Sequence, residues 1–196
     1  MDREAESVRG AESVGPAELI GGRERRRIEV VPYDPSWPER FAGERARIAG
    51  ALGPLARRIV HIGPTAVDGL PAKPIVDIDV SVDDPDDEAS YVPPLEAAGY
   101  LLRVREPGHR MLRTPALDVH VRVNRVGGDW ERRHLLFRDW LRTDAADRAR
   151  YAAAKHELGR REWVDMNAYA DAKTSVIEQI MEHAERWAHA TSWTPR

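Results

Sequence analysis

The stretch that decides the fold is residues 75–82, which read Ile-Val-Asp-Ile-Asp-Val-Ser-Val. Its even-numbered positions are all apolar, whereas Asp77, Asp79 and Ser81 occupy odd-numbered positions between them. Because successive side chains of a β-strand point to opposite faces, this alternation predicts a strand with one buried face. The same alternation places both carboxylates on the other face, about 6–7 Å apart at their Cα atoms.

Working outward, strands and helices alternate before this strand and after it, and helices follow at the end. Proline and glycine positions together with hydrophobic periodicity predict strands at 28–31, 57–62, 100–105, near 111 and at 117–123, with helices after Ser36 and before Gly99. From residue 129 to about 188 there is no proline and a single glycine, so this segment is predicted to be helical throughout. The order predicts an α+β fold, a mixed or antiparallel sheet flanked by helices with a C-terminal helical layer.

These patterns divide the chain into four segments. We expect a disordered tail over 1–27, an α+β core over 28–126, a helical layer packed on the core over 127–190, and a short tail over 191–196.

Composition limits the function classes. The 196 residues include no cysteine, which excludes a disulfide framework and thiolate metal ligands and fits a reducing cytosol. No run approaches the roughly 18 apolar residues of a membrane span, and residues 1–27 lack the apolar stretch of a secretory signal. We therefore expect a cytoplasmic protein without a membrane partner. The formal charge of −3 disfavours long nucleic acid as a partner, so a small anionic substrate would need a local basic pocket.

The paired carboxylates are the main candidates for chemistry. Asp77 and Asp79 repel each other on one strand face unless a cation lies between them. Mg²⁺, or Mn²⁺, prefers carboxylate, water and phosphate oxygens. Asp118, on the polar face of the strand at 117–123, is the candidate third carboxylate of a two-metal site. The alternative is that the two aspartates are simply solvated on an open sheet face.

The loop before the carboxylate strand is a candidate phosphate cradle. Residues 61–74 leave one strand, turn at Gly63 and return to the next strand just after Lys73. Backbone N–H groups of such a turn, with Thr65 and Lys73, can hold a polyphosphate. His61, at the start of the loop, and His120, beside Asp118, are each either a base or metal ligand or a structural histidine.

The helical layer carries cations that can reach the same site. Arg138 and Arg142 lie one helical turn apart, and Lys155 and Lys173 lie on later helices. Lys173 lies on an otherwise apolar stripe, so it is a candidate phosphate ligand together with Arg138. The alternative for each is a side chain that extends to the surface.

Three strings in the sequence resemble one known family. The strings are VPYDPSWP at 31–38, HIGPTAVDGLPAKPIVDIDV at 61–80, and LFRDWLR at 136–142. They are similar to the GrpB family, and the likeness spans about residues 28–187. That family is assigned to the nucleotidyltransferase superfamily, which implies a polymerase-beta-like core. GrpB-like domains also occur fused to dephospho-coenzyme A kinase, although this sequence has no kinase P-loop.

The resemblance implies particular site residues. The superfamily pattern of a glycine and serine followed by Asp-x-Asp and a later acidic residue matches Gly63, Asp77 and Asp79 directly, and Asp118 by pattern. One departure is that Pro64 stands where the serine is expected, which removes a hydroxyl and an N–H from the phosphate loop.

The leading hypothesis is a metal-dependent nucleotidyltransferase that moves a nucleoside monophosphate from an NTP to an unknown acceptor. In it, Asp77 and Asp79 bind the metal, Asp118 helps to deprotonate the acceptor, and Gly63, Thr65 and Lys73 hold the phosphates. Two alternatives use the same residues. One is a nucleotide- or phosphometabolite-binding module without transfer, and the other is a metal-dependent phosphohydrolase with water as acceptor.

Overall fold

The computed structural model describes residues 18–22 and 28–195, in which a six-stranded sheet carries helices on its faces. In chain order the elements are β1 (Glu18–Leu19), α1 (Trp37–Leu52), β2 (Arg58–Ile62), β3 (Val76–Val82), α2 (Glu88–Ala97), β4 (Leu101–Glu106), β5 (His109–Arg113), β6 (Val119–Arg125), α3 (Asp129–Thr143), α4 (Ala145–Gly159), α5 (Met166–Asp171) and α6 (Thr174–Thr191). Among the helices of this described part, none has the length and apolar character needed to cross a bilayer.

The sheet has the order β1-β4-β5-β6-β3-β2. Strands β3 and β6 run parallel, with Asp77 opposite His120 and Asp79 opposite Arg122, and the other neighbouring strands are antiparallel. This arrangement confirms the predicted α+β fold with a mixed sheet. It also places the carboxylates of β3 beside two basic side chains of β6.

The apolar face of β3 forms the main core together with the first two helices. Val76, Ile78 and Val80 are fully buried in one hydrophobic cluster with residues of α1, α2 and β6. The largest buried side chains of that cluster are Trp37, Tyr91 and Tyr100, which come from α1, α2 and the turn before β4. Helices α1 and α2 therefore cover this face, as the alternation of β3 requires.

The polar face of β3 is covered by helix α3, which packs on β2, β3 and β6. Asp79 and Ser81 are both inaccessible to solvent. The Ser81 hydroxyl donates a hydrogen bond to the carboxylate of Glu131 on α3, which also accepts one at 2.7 Å from the backbone N–H of Gly127. The alternative in which both aspartates lie on an open, solvated face is therefore wrong for Asp79.

Three predicted segments differ in detail from the structure. Of the strand predicted at 28–31, only Val31 pairs, in a single bridge to Ala72. Within the predicted N-terminal tail, Glu18–Leu19 form β1 on the edge of β4, while 1–17 and 23–27 lie outside the described residues. At the C-terminal end, the predicted tail 191–196 is partly packed, because the ring of Trp193 lies 6.4 Å from the ring of Trp187.

Candidate functional site

A cavity of about 540 Å³ lies between the polar face of the sheet and the C-terminal helices. The sheet side is formed by the end of β2, the following loop, β3 and β6, and the helical side by α3, α4, α5 and α6. One part of the wall is aromatic and aliphatic, with Phe137 packed edge-on against Tyr151 at 5.3 Å and with Ile177 and Met181 on α6. The other part is strongly basic.

The lysines of the chain all meet in this cavity. Only three of the thirty Lys and Arg residues in the sequence are lysines, and Lys73, Lys155 and Lys173 all line the same wall. Lys73 and Lys173 both lie near the ring of Tyr169, with their Nζ atoms 5.1 Å and 4.5 Å from its centre. Arg122 and Arg133 add two further positive charges to the lining.

Lys155 is the most deeply buried of these cations. Its side chain is 3% exposed, its Nζ donates a hydrogen bond to the carbonyl of Pro71, and that Nζ lies 4.7 Å from the ring centre of Tyr151. Burial lowers the pKa of Lys155 to about 7, and the charge of Lys173 acts in the same direction. Burial likewise lowers the pKa of Lys173 to about 8, with the charge of Lys73 adding to it.

Asp77 is the acidic residue that lines the cavity within the described part of the chain. Its Oδ1 lies 3.2 Å from Nδ1 of His120 and 3.4 Å from Nη2 of Arg122. Burial alone would raise the pKa of Asp77. The hydrogen bond from His120 and the charges of Arg122 and Lys73 outweigh burial and hold that pKa well below its usual range. The carboxylate is therefore ionised in the cavity wall.

Gly63 is required by the close approach of Asp77. Its backbone has φ 68° and ψ −174°, a region that is almost restricted to glycine. A Cβ at this position would lie 2.9 Å from Oδ2 and 3.1 Å from Cβ of Asp77. The predicted importance of Gly63 therefore has a steric basis in the structure, since it lets the loop pass directly over the carboxylate.

Thr65 does not present its hydroxyl to the cavity. The side chain is buried, its hydroxyl donates to the carbonyl of Ile75 at 3.1 Å, and it accepts a hydrogen bond from Nε2 of His61 at 2.9 Å. Burial lowers the pKa of His61 to about 4, so this imidazole is neutral near pH 7. Thr65 and His61 thus hold the loop in shape, and the predicted phosphate contact from Thr65 is not formed by this geometry.

The three carboxylates predicted to share a metal site do not converge. Asp79 is fully buried, and its oxygens lie 2.9 Å and 3.0 Å from Nδ1 of His134, on α3. Asp118 turns away to the α1 side, where its carboxylate accepts hydrogen bonds from Arg40 at 2.8 Å and Thr114 at 2.7 Å. The reason is that Leu117 has φ 63° and β6 begins only at residue 119, so residue 118 lies outside the regular alternation.

A two-metal site built on these carboxylates therefore does not fit the arrangement. Among the described residues, no group of three or more His, Asp or Glu side chains is placed to hold a metal ion. Of the carboxylates in the described residues, Asp77 alone lines the cavity, and a lone carboxylate among five lysine and arginine side chains favours an anionic ligand.

Arg138 also has a different role from the predicted one. Its side chain is buried and donates to the carbonyl of His61 at 3.1 Å and to Asp139 at 2.7 Å. Arg142 similarly donates to the carbonyl of Ala66. Arg138 thus holds the end of β2 to helix α3, Arg142 holds the loop after β2 to the same helix, and neither arginine lines the cavity.

Two basic cavity residues, Arg122 and Arg133, are absent from the site predicted by sequence, and Lys155 was named among the cations of the helical layer but was not chosen as a phosphate ligand. Arg122 shares the polar face of β6 with His120, so the alternation of that strand was a usable signal. For Lys155 the usable signal was composition, because lysine is rare in this arginine-rich chain.

Comparison with known proteins gives a consistent family assignment. The family model described as GrpB protein matches residues 27–183. A UPF0157 protein of Streptomyces coelicolor is 49% identical over 91% of this chain and 95% of its own length, and one of Halalkalibacterium halodurans is 45% identical over 80% and 82%.

Two further relatives extend this comparison. A dephospho-CoA kinase of Mycolicibacterium paratuberculosis is 32% identical over 87% of this chain, which spans about half (49%) of that longer protein. Among solved structures, the crystal structure of a conserved protein GrpB from Enterococcus faecalis is 29% identical and superposes with a TM-score of 0.72 over 81% of this chain and 99% of that one. The chain therefore belongs to the GrpB family.

Proposed function

We propose that the chain binds a small phosphorylated ligand, a nucleotide or a phosphorylated metabolite, in the cavity between β3 and the C-terminal helices. The observation that carries the proposal is the convergence of Lys73, Lys155 and Lys173 on that cavity. They come from a loop and two helical segments far apart in sequence, so their meeting is a property of the fold.

The balance of charge supports an anionic ligand. In the part of the chain that the structure describes, five lysine and arginine side chains line the cavity, and Asp77 supplies its one carboxylate. Burying like charges together destabilises a protein unless a counter-charge is supplied. Phosphate oxygens supply that charge and accept the hydrogen bonds that ammonium groups donate.

The size and the apolar wall support a ligand larger than inorganic phosphate. Small-molecule sites are typically about 300–1,000 Å³ and mostly apolar with a few polar groups, and this cavity of about 540 Å³ falls in that range. Phe137 and Tyr151 offer aromatic surface for a base or another ring. Relatives named dephospho-CoA kinase carry the name of an enzyme for a nucleotide-containing ligand, although the match covers only half of their length.

The test is calorimetric titration of pyrophosphate, ADP and ATP into the wild-type protein and into Lys73→Ala and Lys173→Ala. Each substitution is expected to weaken binding on the order of 10-fold, the loss of one charge-assisted hydrogen bond. Arg45→Ala is the matched control, because it removes one positive charge from the exposed face of α1, away from the cavity. Equal affinities in all four proteins would contradict the proposal.

Magnesium-dependent nucleotidyl transfer is a second candidate, and it is favoured by the ionised carboxylate of Asp77 beside the Gly63 loop. A Mg²⁺ ion that arrives with a nucleoside triphosphate needs only one or two protein carboxylates and would supply charge neutralisation at the phosphates. If the candidate is correct, ATP affinity rises with Mg²⁺, Asp77→Asn abolishes that rise, and pyrophosphate is released once an acceptor is present. Release of inorganic phosphate without an acceptor would instead support a phosphohydrolase.

A further inference from the structure

Lys155 has properties that an arginine in the same place would not have. All three lysines of the sequence line the cavity, so every other Lys or Arg position of the chain is an arginine. The most buried cation in the cavity wall is one of these lysines. A guanidinium stays protonated in proteins, whereas a lysine amine loses its proton readily when buried. The position of Lys155 is therefore suited to chemistry that needs a free amine.

The surroundings of Lys155 favour that free amine. Its charged neighbour is Lys173, at the start of α6, and its other contacts are the Pro71 carbonyl and the Tyr151 ring on its own helix. In the described residues no carboxylate forms an ion pair with its Nζ, so no anion stabilises the protonated form. Desolvation and a nearby cation are the two conditions that activate lysine nucleophiles.

We propose that Lys155 is a nucleophilic amine and that the cavity accepts an anionic aldehyde or ketone, with which Lys155 forms an imine. The inference rests on the proposed function, because Lys73 and Lys173 would hold the anionic group of that ligand. In the step, the Nζ lone pair forms a bond to the carbonyl carbon, and the carbonyl oxygen takes up a proton. That proton comes from the nitrogen and gives a carbinolamine. The second N–H proton then passes to the carbinolamine hydroxyl, the carbon–oxygen bond breaks as the carbon–nitrogen double bond forms, and water leaves. No oxidant or reductant is needed.

The experiment uses pyridoxal 5′-phosphate, which carries both an aldehyde and a phosphate, with borohydride reduction and peptide mass spectrometry to locate the label. The sequence has three lysines, so besides the chain's N-terminal amine only three side chains can carry it. Labelling of Lys155 is expected to reach half its maximum near pH 7 and to exceed that of Lys73 on the order of 10-fold at that pH, because burial favours the uncharged, nucleophilic amine of Lys155. Label on Lys73, Lys173 or the N-terminus with Lys155 unmodified would overturn the inference.

Controls separate this inference from the proposed function. Lys155→Arg is expected to lose the label, whereas Arg45→Ala, which removes an exposed charge away from the cavity, is expected to retain both reversible binding of the probe and the label on Lys155. Reversible binding of the probe without reduction onto Lys155 would refute the amine role and leave phosphate binding intact. Equal labelling of Lys155 by pyridoxal, which lacks the phosphate, would refute the anion site and leave the reactive amine. Because the wild-type labelling pattern is itself decisive, the test holds even if a variant folds poorly.

Discussion

The close approach of Gly63 to Asp77 leads to a sharp prediction for Gly63→Ala. The backbone there is in a conformation that costs a non-glycine residue about 1–3 kcal/mol. The added Cβ would also meet Oδ2 of Asp77 at 2.9 Å, so the carboxylate has to move. That movement weakens its contact with His120, and a hydrogen bond involving a charged group contributes about 1.5–3 kcal/mol.

Together these effects predict a loss of about 3–5 kcal/mol in the free energy of unfolding, measured by urea denaturation. For a chain of this size the thermal midpoint should fall by roughly 10 °C. The matched control is Gly69→Ala, because Gly69 also has a positive φ of 72° but has no atom within 4 Å of the position that an added Cβ would take. This control should lose only the backbone contribution, about 1–2 kcal/mol.

The comparison between Gly63→Ala and Gly69→Ala tests whether the Asp77 carboxylate is the reason for a glycine at position 63. A clear excess loss in Gly63→Ala, accompanied by altered pyrophosphate affinity, would show that the loop is shaped by the carboxylate. If both variants lost the same stability and bound pyrophosphate equally well, the contact between residue 63 and Asp77 would make no contribution to the free energy of unfolding. The steric reason for a glycine at this position would then be refuted.

Three further predictions concern stability. Glu131→Ala should cost about 1–3 kcal/mol in urea unfolding, because it removes the carboxylate that accepts hydrogen bonds from the buried Ser81 hydroxyl and from the Gly127 N–H; an unchanged midpoint would show that the buried carboxylate contributes nothing. Thr65→Val should lower the free energy of unfolding by about 1–3 kcal/mol, because it leaves the Ile75 carbonyl and the His61 imidazole unpaired. The measurement is again urea unfolding in comparison with the wild-type protein. His61 has a folded-state pKa of about 4 against 6.5, so the folded form binds fewer protons and stability falls by about 3 kcal/mol as the pH drops through that window. In His61→Gln this part of the acid sensitivity should disappear, and an identical pH profile would contradict the assignment.

The sequence predicted those parts of the fold that depend on local patterns. The alternating strand β3 and the helix predicted after Ser36, which is α1, are both present because each buries one face against the other in the main core. It did not predict the parallel pairing of β3 with β6, which depends on contacts distant in sequence. It also missed β1, since two residues held by backbone pairing to β4 leave no periodic signal.

The site was predicted less completely for a physical reason. A polar strand face looks the same in sequence whether water or a helix covers it, and in this fold α3 covers Asp79 and pairs it with His134. Asp118 was assigned to the site by extending the alternation of β6, which fails where Leu117 adopts a positive φ. Lys73 and Lys173 were named as candidates and do line the cavity.

The excess of basic groups also predicts that ligand binding takes up protons. The pKa values of Lys155 and Lys173, about 7 and about 8, are low because burial and neighbouring cations disfavour the charged amines. A phosphate bound beside Lys173 reverses that balance for the Lys173 amine, so at pH 8 the complex binds more protons than the free protein. Pyrophosphate should therefore be titrated by calorimetry in buffers of different ionisation enthalpy. Because the buffer supplies the protons that the complex takes up, the observed binding enthalpy should increase with the ionisation enthalpy of the buffer. Lys173→Met should reduce the uptake, while Arg45→Ala should leave it unchanged. Binding without any proton uptake would mean that the phosphate does not lie against these lysines.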